Sequence, residues 1–374
     1  MQLNVIKCLT NTVLKVKIFL GGIIMKTFIV PQSSALTYMG RIDVSSPDKA
    51  GFFFAGSNVT LRFRGTAVSA RIKNFRYYAT SMLGFVLDGK EGKCEIAESY
   101  SVTDITLADG LDDTEHTLTL FKRQGGSHYF DLYGFEIEGE ALEAVSLPEL
   151  KIECFGDSVS AGEVCEAVEY TAQGDPEGHE GVYDNAWHSY PFITARNLGA
   201  QINDTAQGGI AIRDNTGWYH MPDCIGMESV YDKLRYFPEA EGGLSDWDFK
   251  RYIPDIVIFA VGQNDSHIEG QPDPDITDLS FRESWKESYK KIIRALREHY
   301  PDAFFVLTLT VLNHAPEWDT AIEEITNELS DERIKHFQFT RSGKATPGHP
   351  RLSEQYEMSE ELTAFLVKEL FTKK

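Results

Sequence analysis

The chain changes its hydrophobic rhythm once, near residue 150. Before that point apolar and polar residues alternate with period two, as in "NVTLRFRG" from Val59 to Phe63. That is the spacing of a strand with one buried face. "AVSARIKNF", "MLGFVLDGK", "HTLTLFKR" and "YFDLYGFEIEG" are further strand candidates, with turn chemistry at Asp88–Gly89 and Gly125–Gly126. Such strands over residues 40–140, without helical segments, predict a two-sheet β-sandwich. The connector "GEALEAVSLPEL" (139–150) ends this regime.

Short continuous apolar runs follow: "KIECFG", "DIVIFAVG" (255–262), "FFVLTLTV" (304–311) and "IKHFQF" (334–339). They suit strands covered on both faces of a parallel sheet. Between them, residues 281–300 place Phe281, Trp285, Tyr289, Ile292 and Leu296 on one helical stripe, and Ser280 with Glu283 forms a candidate capping box. A last helix is expected from about Glu354 to Phe371. The alternation predicts an open α/β sheet with helices on both faces. The expected domains are therefore a sandwich over 26–146 and an α/β domain over 150–374.

Residues 1–25 are expected to be a leader or a mis-set start without structure. Lys7, Lys15 and Lys17 accompany the apolar run "IFLGGII", but two glycines interrupt it, it is too short to span a bilayer, and no small-x-small cleavage site follows. Met25 offers a second start.

A length of 374 residues leaves room for two domains, each with its own core. The net charge of −21 argues against nucleic acid and against an anionic membrane surface, since both need a concentrated basic face. A neutral partner such as a glycan fits better. Five widely spaced cysteines without a C-x-x-C pair argue against a disulfide framework and against zinc. Reduced thiols point to a cytoplasmic location, with secretion as the alternative if the first 24 residues act as a signal. No metal or cofactor is expected. The oligomeric state is not legible.

In an open α/β sheet, ligands collect at the carboxyl ends of the strands. The chain places Gly156-Asp157-Ser158 after the first apolar run, Gly262 with Asn264 and Asp265 after a middle one, and His349 after the last. "TAQGGIAIRDNTGW", with Gly208 and Gly209, lies between. Acyl transfer needs these parts. A serine hydroxyl is a poor nucleophile until a base takes its proton, so Ser158 is paired with His349. Charge developing on the ester carbonyl needs donors already in place, assigned to the Ser158 and Gly209 backbone N–H groups and the Asn264 amide.

The ordered blocks resemble the SGNH, or GDSL, hydrolase superfamily. G-D-S-hydrophobic-T/S-x-G is matched from Gly156 to Gly162, the second-block glycine by Gly209 with Gly208 as a one-residue alternative, G-x-N-D from Gly262 to Asp265, and the final histidine by His349. The resemblance covers about residues 150–374 and implies a flavodoxin-like domain. A sandwich in front of such a domain, with "GRIDV", "LRFRGTAVSARI" and "PGHPRL", is similar to carbohydrate esterase family two. That resemblance implies a jelly-roll-like sandwich and an esterase removing O-acetyl groups from mannan, glucomannan or xylan through an acetyl-enzyme on Ser158. Rival readings are a lipase-like or lysophospholipase-like SGNH esterase, and a glycan-binding protein with decayed catalysis.

One departure stands out. The superfamily's D-x-x-H motif would put an aspartate at 346, where this chain has Thr346. Either a backbone carbonyl orients His349 in a Ser–His dyad, or a carboxylate arrives from elsewhere; Asp157 and Asp265 are turn residues and are not nominated. The long loop "EVCEAVEYTAQGDPEGHEGVYDNAWHS" after the serine is a candidate lid or binding loop. Trp187, Trp218, Arg213 and Asp265 are the candidate sugar contacts, because a tryptophan face suits the apolar C–H groups of a sugar ring.

Overall fold

The computed structural model describes residues 8–9, 12–19, 22–96, 100–219, 224–236 and 242–371. The chain divides into two units: Met1–Phe53 with Ser57–Arg123 and Ser127–Leu147, and Pro148–Lys374 with Phe54–Gly56 and Gln124–Gly126. The first of the two short pieces joins the second unit through its side chains. Phe54 stacks on Tyr236 at 4.7 Å, and Ala55 packs with Ala161, Ala186 and Ala206.

The first unit is antiparallel. Strands β1 (Thr12–Phe19), β2 (Gly22–Ile29), β3 (Asn58–Arg76), β4 (Met82–Leu87), β5 (Lys90–Glu95), β6 (Thr114–Lys122) and β7 (His128–Ala141) carry most of it. The segments read separately as "NVTLRFRG" and "AVSARIKNF" are one strand, β3. One edge of β3 pairs with Leu36–Met39 and then with β7; the other pairs with β6 and then with Val102–Ala108. Val59, Leu61 and Phe63 are buried before Gly65, and Val68, Ala70 and Ile72 after it. The switch from odd to even numbers is what a β-bulge requires, because one extra residue turns every later side chain over. An added Cβ at Gly65 would lie 2.0 Å from the Glu138 carbonyl oxygen, so glycine permits the close approach.

Residues 1–25, expected to carry no structure, contain β1 and the start of β2. β1 pairs with β2 from Thr12↔Ile29 to Phe19↔Gly22, and β2 pairs with β7. The reason lies in "TVLKVKIF", where Leu14, Val16 and Ile18 alternate with Lys15 and Lys17. That is a period-two strand signal, and it outweighs the charge and the short apolar run of the segment.

The second unit holds a five-stranded parallel sheet. In chain order its strands are β8 (Lys151–Gly156), β9 (Gln201–Ala206), β10 (Ile256–Ala260), β11 (Phe304–Leu307) and β12 (Ile334–His336). In space the order is β9-β8-β10-β11-β12. This is the doubly wound order in which the connection reverses direction at the first strand, and such folds bind ligands beyond the carboxyl ends of the strands at that switch, here β8 and β10. Helices α1 (Tyr190–Leu198), α2 (Leu279–His299), α3 (Pro316–Leu329) and α4 (Leu352–Leu370) belong to this unit. α2 buries Trp285, Tyr289, Ile292 and Leu296 as its stripe predicts. Its cap differs: the Asp278 carboxylate accepts from Phe281 N at 2.8 Å, and Glu283 accepts from Lys286 instead of closing a box with Ser280. Cys94, Cys154, Cys165 and Cys224 are free thiols. Among the described residues no helix is long and apolar enough to cross a membrane.

Candidate active site

β8 ends at Gly156 and the chain turns at once. A Cβ at Gly156 would lie 2.2 Å from Ser160 Oγ, so only glycine lets the turn close this tightly. Asp157 holds the turn. Its carboxylate accepts from Val159 N at 3.1 Å and from Gln263 Nε2 at 2.7 Å, and it is fully buried. Burial pushes this carboxyl up to about 7 against the Val159 bond and the nearby charge of His349. Asp157 is thus structural, as its place in the turn suggests. Ser158 follows with only 3% of its surface exposed. Its carbonyl accepts from Glu163 N at 3.0 Å, and the Val159 carbonyl accepts from Gln355 Nε2 at 3.2 Å. Gln355 belongs to α4, so the serine turn is tied to the helix that starts just after His349.

The proposed oxyanion donors lie on the neighbouring strand ends. Gln207 N donates to the Gly156 carbonyl at 3.1 Å, fixing the glycine loop beside the nucleophile turn. Gly209 has φ +73°, and a Cβ there would crowd Trp218 Cβ at 2.9 Å. Asn264 is buried and donates from Nδ2 to the Ile210 carbonyl at 3.0 Å, so its amide is already held against the same loop.

His349 meets a carboxylate that the sequence reading did not nominate. Nδ1 lies 2.7 Å from Asp175 Oδ2, and the His349 backbone N donates to Asp175 Oδ1 at 3.0 Å. Asp175 comes from the long loop after the serine. Arg351, fully buried, donates to Asp175 Oδ1 at 2.8 Å and to the carbonyls of Gly174 at 3.2 Å and Gln173 at 3.4 Å. Burial alone would raise the Asp175 carboxyl; the bonds from His349 and Arg351 hold it well below the usual carboxylate range. Burial alone would make His349 less basic, but the bond to Asp175 and the charges of Glu163, Asp175 and Asp184 outweigh it and raise its pKa. Thr346, at the motif's acid position, is buried, and its backbone N donates to Glu354 at 2.9 Å. An ionised Asp175 at Nδ1 fixes the ring tautomer and leaves Nε2 free to take a proton.

The substrate candidates separate. Trp218 is 61% exposed and stacks flat on His267 with centroids 3.5 Å apart, so one indole face remains open to a sugar ring. Trp187 is half-buried, with the Arg196 guanidinium over its ring at 5.0 Å and Phe192 beside it. Asp265 is corrected from sugar contact to loop buckle. It is fully buried, accepts from Ile212 N at 2.7 Å and Arg213 N at 3.4 Å, and burial pushes it up to about 6. Arg213 lies 3.8 Å from that carboxylate and 4.7 Å over the Phe281 ring, which commits it to the same buckle. Among the described residues no group of three or more His, Cys, Asp or Glu is arranged to hold a metal ion.

Comparison with known proteins bears on the family and the fold. The family pattern described as Carbohydrate esterase 2 N-terminal matches residues 38–145. The chain is 28% identical over 347 residues to the cellulase/esterase CelE of Acetivibrio thermocellus, a match covering 90% of this chain but only 39% of that much longer protein. It is 25% identical to the acetylxylan esterase / glucomannan deacetylase of Cellvibrio japonicus, covering 87% of this chain and 86% of the relative. Among solved structures, a family two carbohydrate esterase from Clostridium thermocellum in complex with cellohexaose is similar at TM-score 0.73 and 26% identity, covering 90% of this chain and 99% of the other.

Proposed function

We propose that this chain, a two-domain protein of carbohydrate esterase family two, is a serine esterase that removes O-acetyl groups from mannan, glucomannan or xylan, or from their oligosaccharides. The observation that carries the reading is the bond from His349 Nδ1 to Asp175, made beside the Ser158 turn. It supplies the ionised partner that a histidine base needs and that Thr346 cannot provide. The exposed Trp218 and the relatives named for acetylxylan and glucomannan add the carbohydrate part.

The reaction in this reading runs as follows for each residue. Ser158 Oγ attacks the acetyl carbonyl while His349 Nε2 takes its proton, and Asp175 stabilises the imidazolium that forms. The N–H groups of Ser158 and Gly209 and the Asn264 amide receive the oxyanion. The imidazolium gives its proton to the sugar oxygen as that oxygen's bond to the acetyl carbon breaks, leaving an acetyl-enzyme and a free sugar hydroxyl. His349 then activates water, and acetate leaves.

The test is to incubate the protein with acetylated glucomannan, xylan and mannan oligosaccharides and follow the acetyl signals by NMR. Loss of acetyl signals with free acetate appearing is the expected result. A marked preference for octanoyl over acetyl p-nitrophenyl esters, with the oligosaccharides untouched, would instead establish the lipase-like reading. Within the site, Asn264→Ala is expected to lower kcat by about 100-fold, the usual cost of one oxyanion donor, with little change in KM. An equal rise in KM at constant kcat would assign Asn264 to substrate binding instead.

A further inference from the structure

His349 has carboxylates near both ring nitrogens, and the reaction above uses only one. Glu163 Oε2 lies 3.8 Å from His349 Nε2, the atom on which the serine proton arrives. Its backbone N donates to the Ser158 carbonyl, so the same residue spans nucleophile and base. Its other oxygen is pressed against the glycine loop: a Cβ at Gly208 would fall 1.7 Å from Oε1, and one at Gly125 would fall 3.3 Å from it. The carboxylate therefore lies between the histidine ring and the glycine loop, with 22% of its side chain exposed.

We propose that Glu163 is a positioning residue acting through His349: its negative charge stabilises the protonated ring and thereby sets the pH below which the enzyme stops working. This rests on the esterase reading above. The charged groups around the pair are few. Facing His349 are Asp175, Glu163, Asp184 and Asp157, with Arg351 bound to Asp175 behind the ring. Facing Glu163 are Asp184, His349, His179 and Asp175. Burial and Asp184 push the Glu163 carboxyl up to about 7, against the opposing pull of His349 and His179. The protonation of Glu163 and that of His349 therefore bias each other.

The sign is fixed by geometry. A negative charge beside Nε2 favours the protonated ring, and catalysis needs that ring neutral at rest. Glu163 thus makes His349 a stronger base while raising the pH at which it fills with protons. In Glu163→Gln the acid limb of kcat/KM moves lower by about one pH unit, and the plateau falls roughly three- to tenfold because the imidazolium loses a partner. Glu163→Asp, which keeps the charge at shorter reach, restores part of the shift. A second readout needs no turnover: the pH dependence of diethyl pyrocarbonate modification at His349, read by peptide mass spectrometry, shows its midpoint moving the same way. If neither protein releases acetate but this midpoint moves, the esterase reading fails and the coupling stands. An acid limb and a midpoint that stay in place in Glu163→Gln, or that move to higher pH, overturn the coupling.

Discussion

Replacing Ser158 with alanine is expected to leave a folded protein whose acetate release is lower by at least about 10⁴-fold, since no other group can form the acetyl-enzyme. The fold survives because the turn is held by other bonds. The Asp157 carboxylate binds Val159 N and Gln263, and the Ser158 carbonyl, which alanine retains, still accepts from Glu163 N. What remains is the oxyanion site acting on water. Acetate release within tenfold of the parent, measured on the same oligosaccharides and with an unchanged circular dichroism spectrum, would remove Ser158 from the mechanism. It would also revive a glycan-binding role for the site.

The second large effect is expected from Asp175→Asn, with kcat lower by about 10³- to 10⁴-fold and KM nearly unchanged. A carboxamide lets the ring take the wrong tautomer and gives the imidazolium no counter-charge. The variant also leaves the buried Arg351 without its anion, so its melting temperature falls as well, and rates must be compared well below it. The pH dependence separates this residue from its neighbours. Asp175 has a folded-state pKa depressed below the unfolded value of about 4, so its contribution to stability is complete above that pH and is lost as pH falls below it. Any loss of activity that sets in above that range as pH falls therefore belongs to His349 and its partners. An Asp175→Asn enzyme with kcat within tenfold of the parent would mean that a dyad suffices, with the His349 ring oriented by other contacts.

Much of this layout is legible in the chain because burial leaves a simple mark. The runs at 256–260 and 304–307 are apolar throughout, and 152–155 is apolar but for the buried Glu153, since both faces of those strands are covered. The serine turn announces itself through residues too small for any ordinary strand end. β9 escaped notice because "QINDTA" reads as polar although all six residues are buried. Gln201, Asn203, Asp204 and Thr205 outnumber its apolar residues and leave no apolar periodicity. β3 was divided in two because a bulge breaks the alternation that identifies a strand. Asp175 was illegible for a different reason. It pairs with a histidine 174 positions away, from a loop with no periodic pattern, so nothing near either residue records the pairing. The nearest signal was Arg351 in "PGHPRL": an arginine so close to the base needs an anion if it is buried, and burial of a single arginine cannot be read from one sequence.

The grip of Arg351 on the acid-bearing loop falls on main-chain oxygens at 173 and 174 and on the one carboxylate. It asks nothing of the other side chains in that segment. Their identities can therefore drift between related enzymes, or be randomised in a library, while the charge behind the imidazole stays put. Outside Glu163 and Asp184, whose charges bear on His349, adaptation to a new polysaccharide can be written into this loop without redesigning the chemistry it serves.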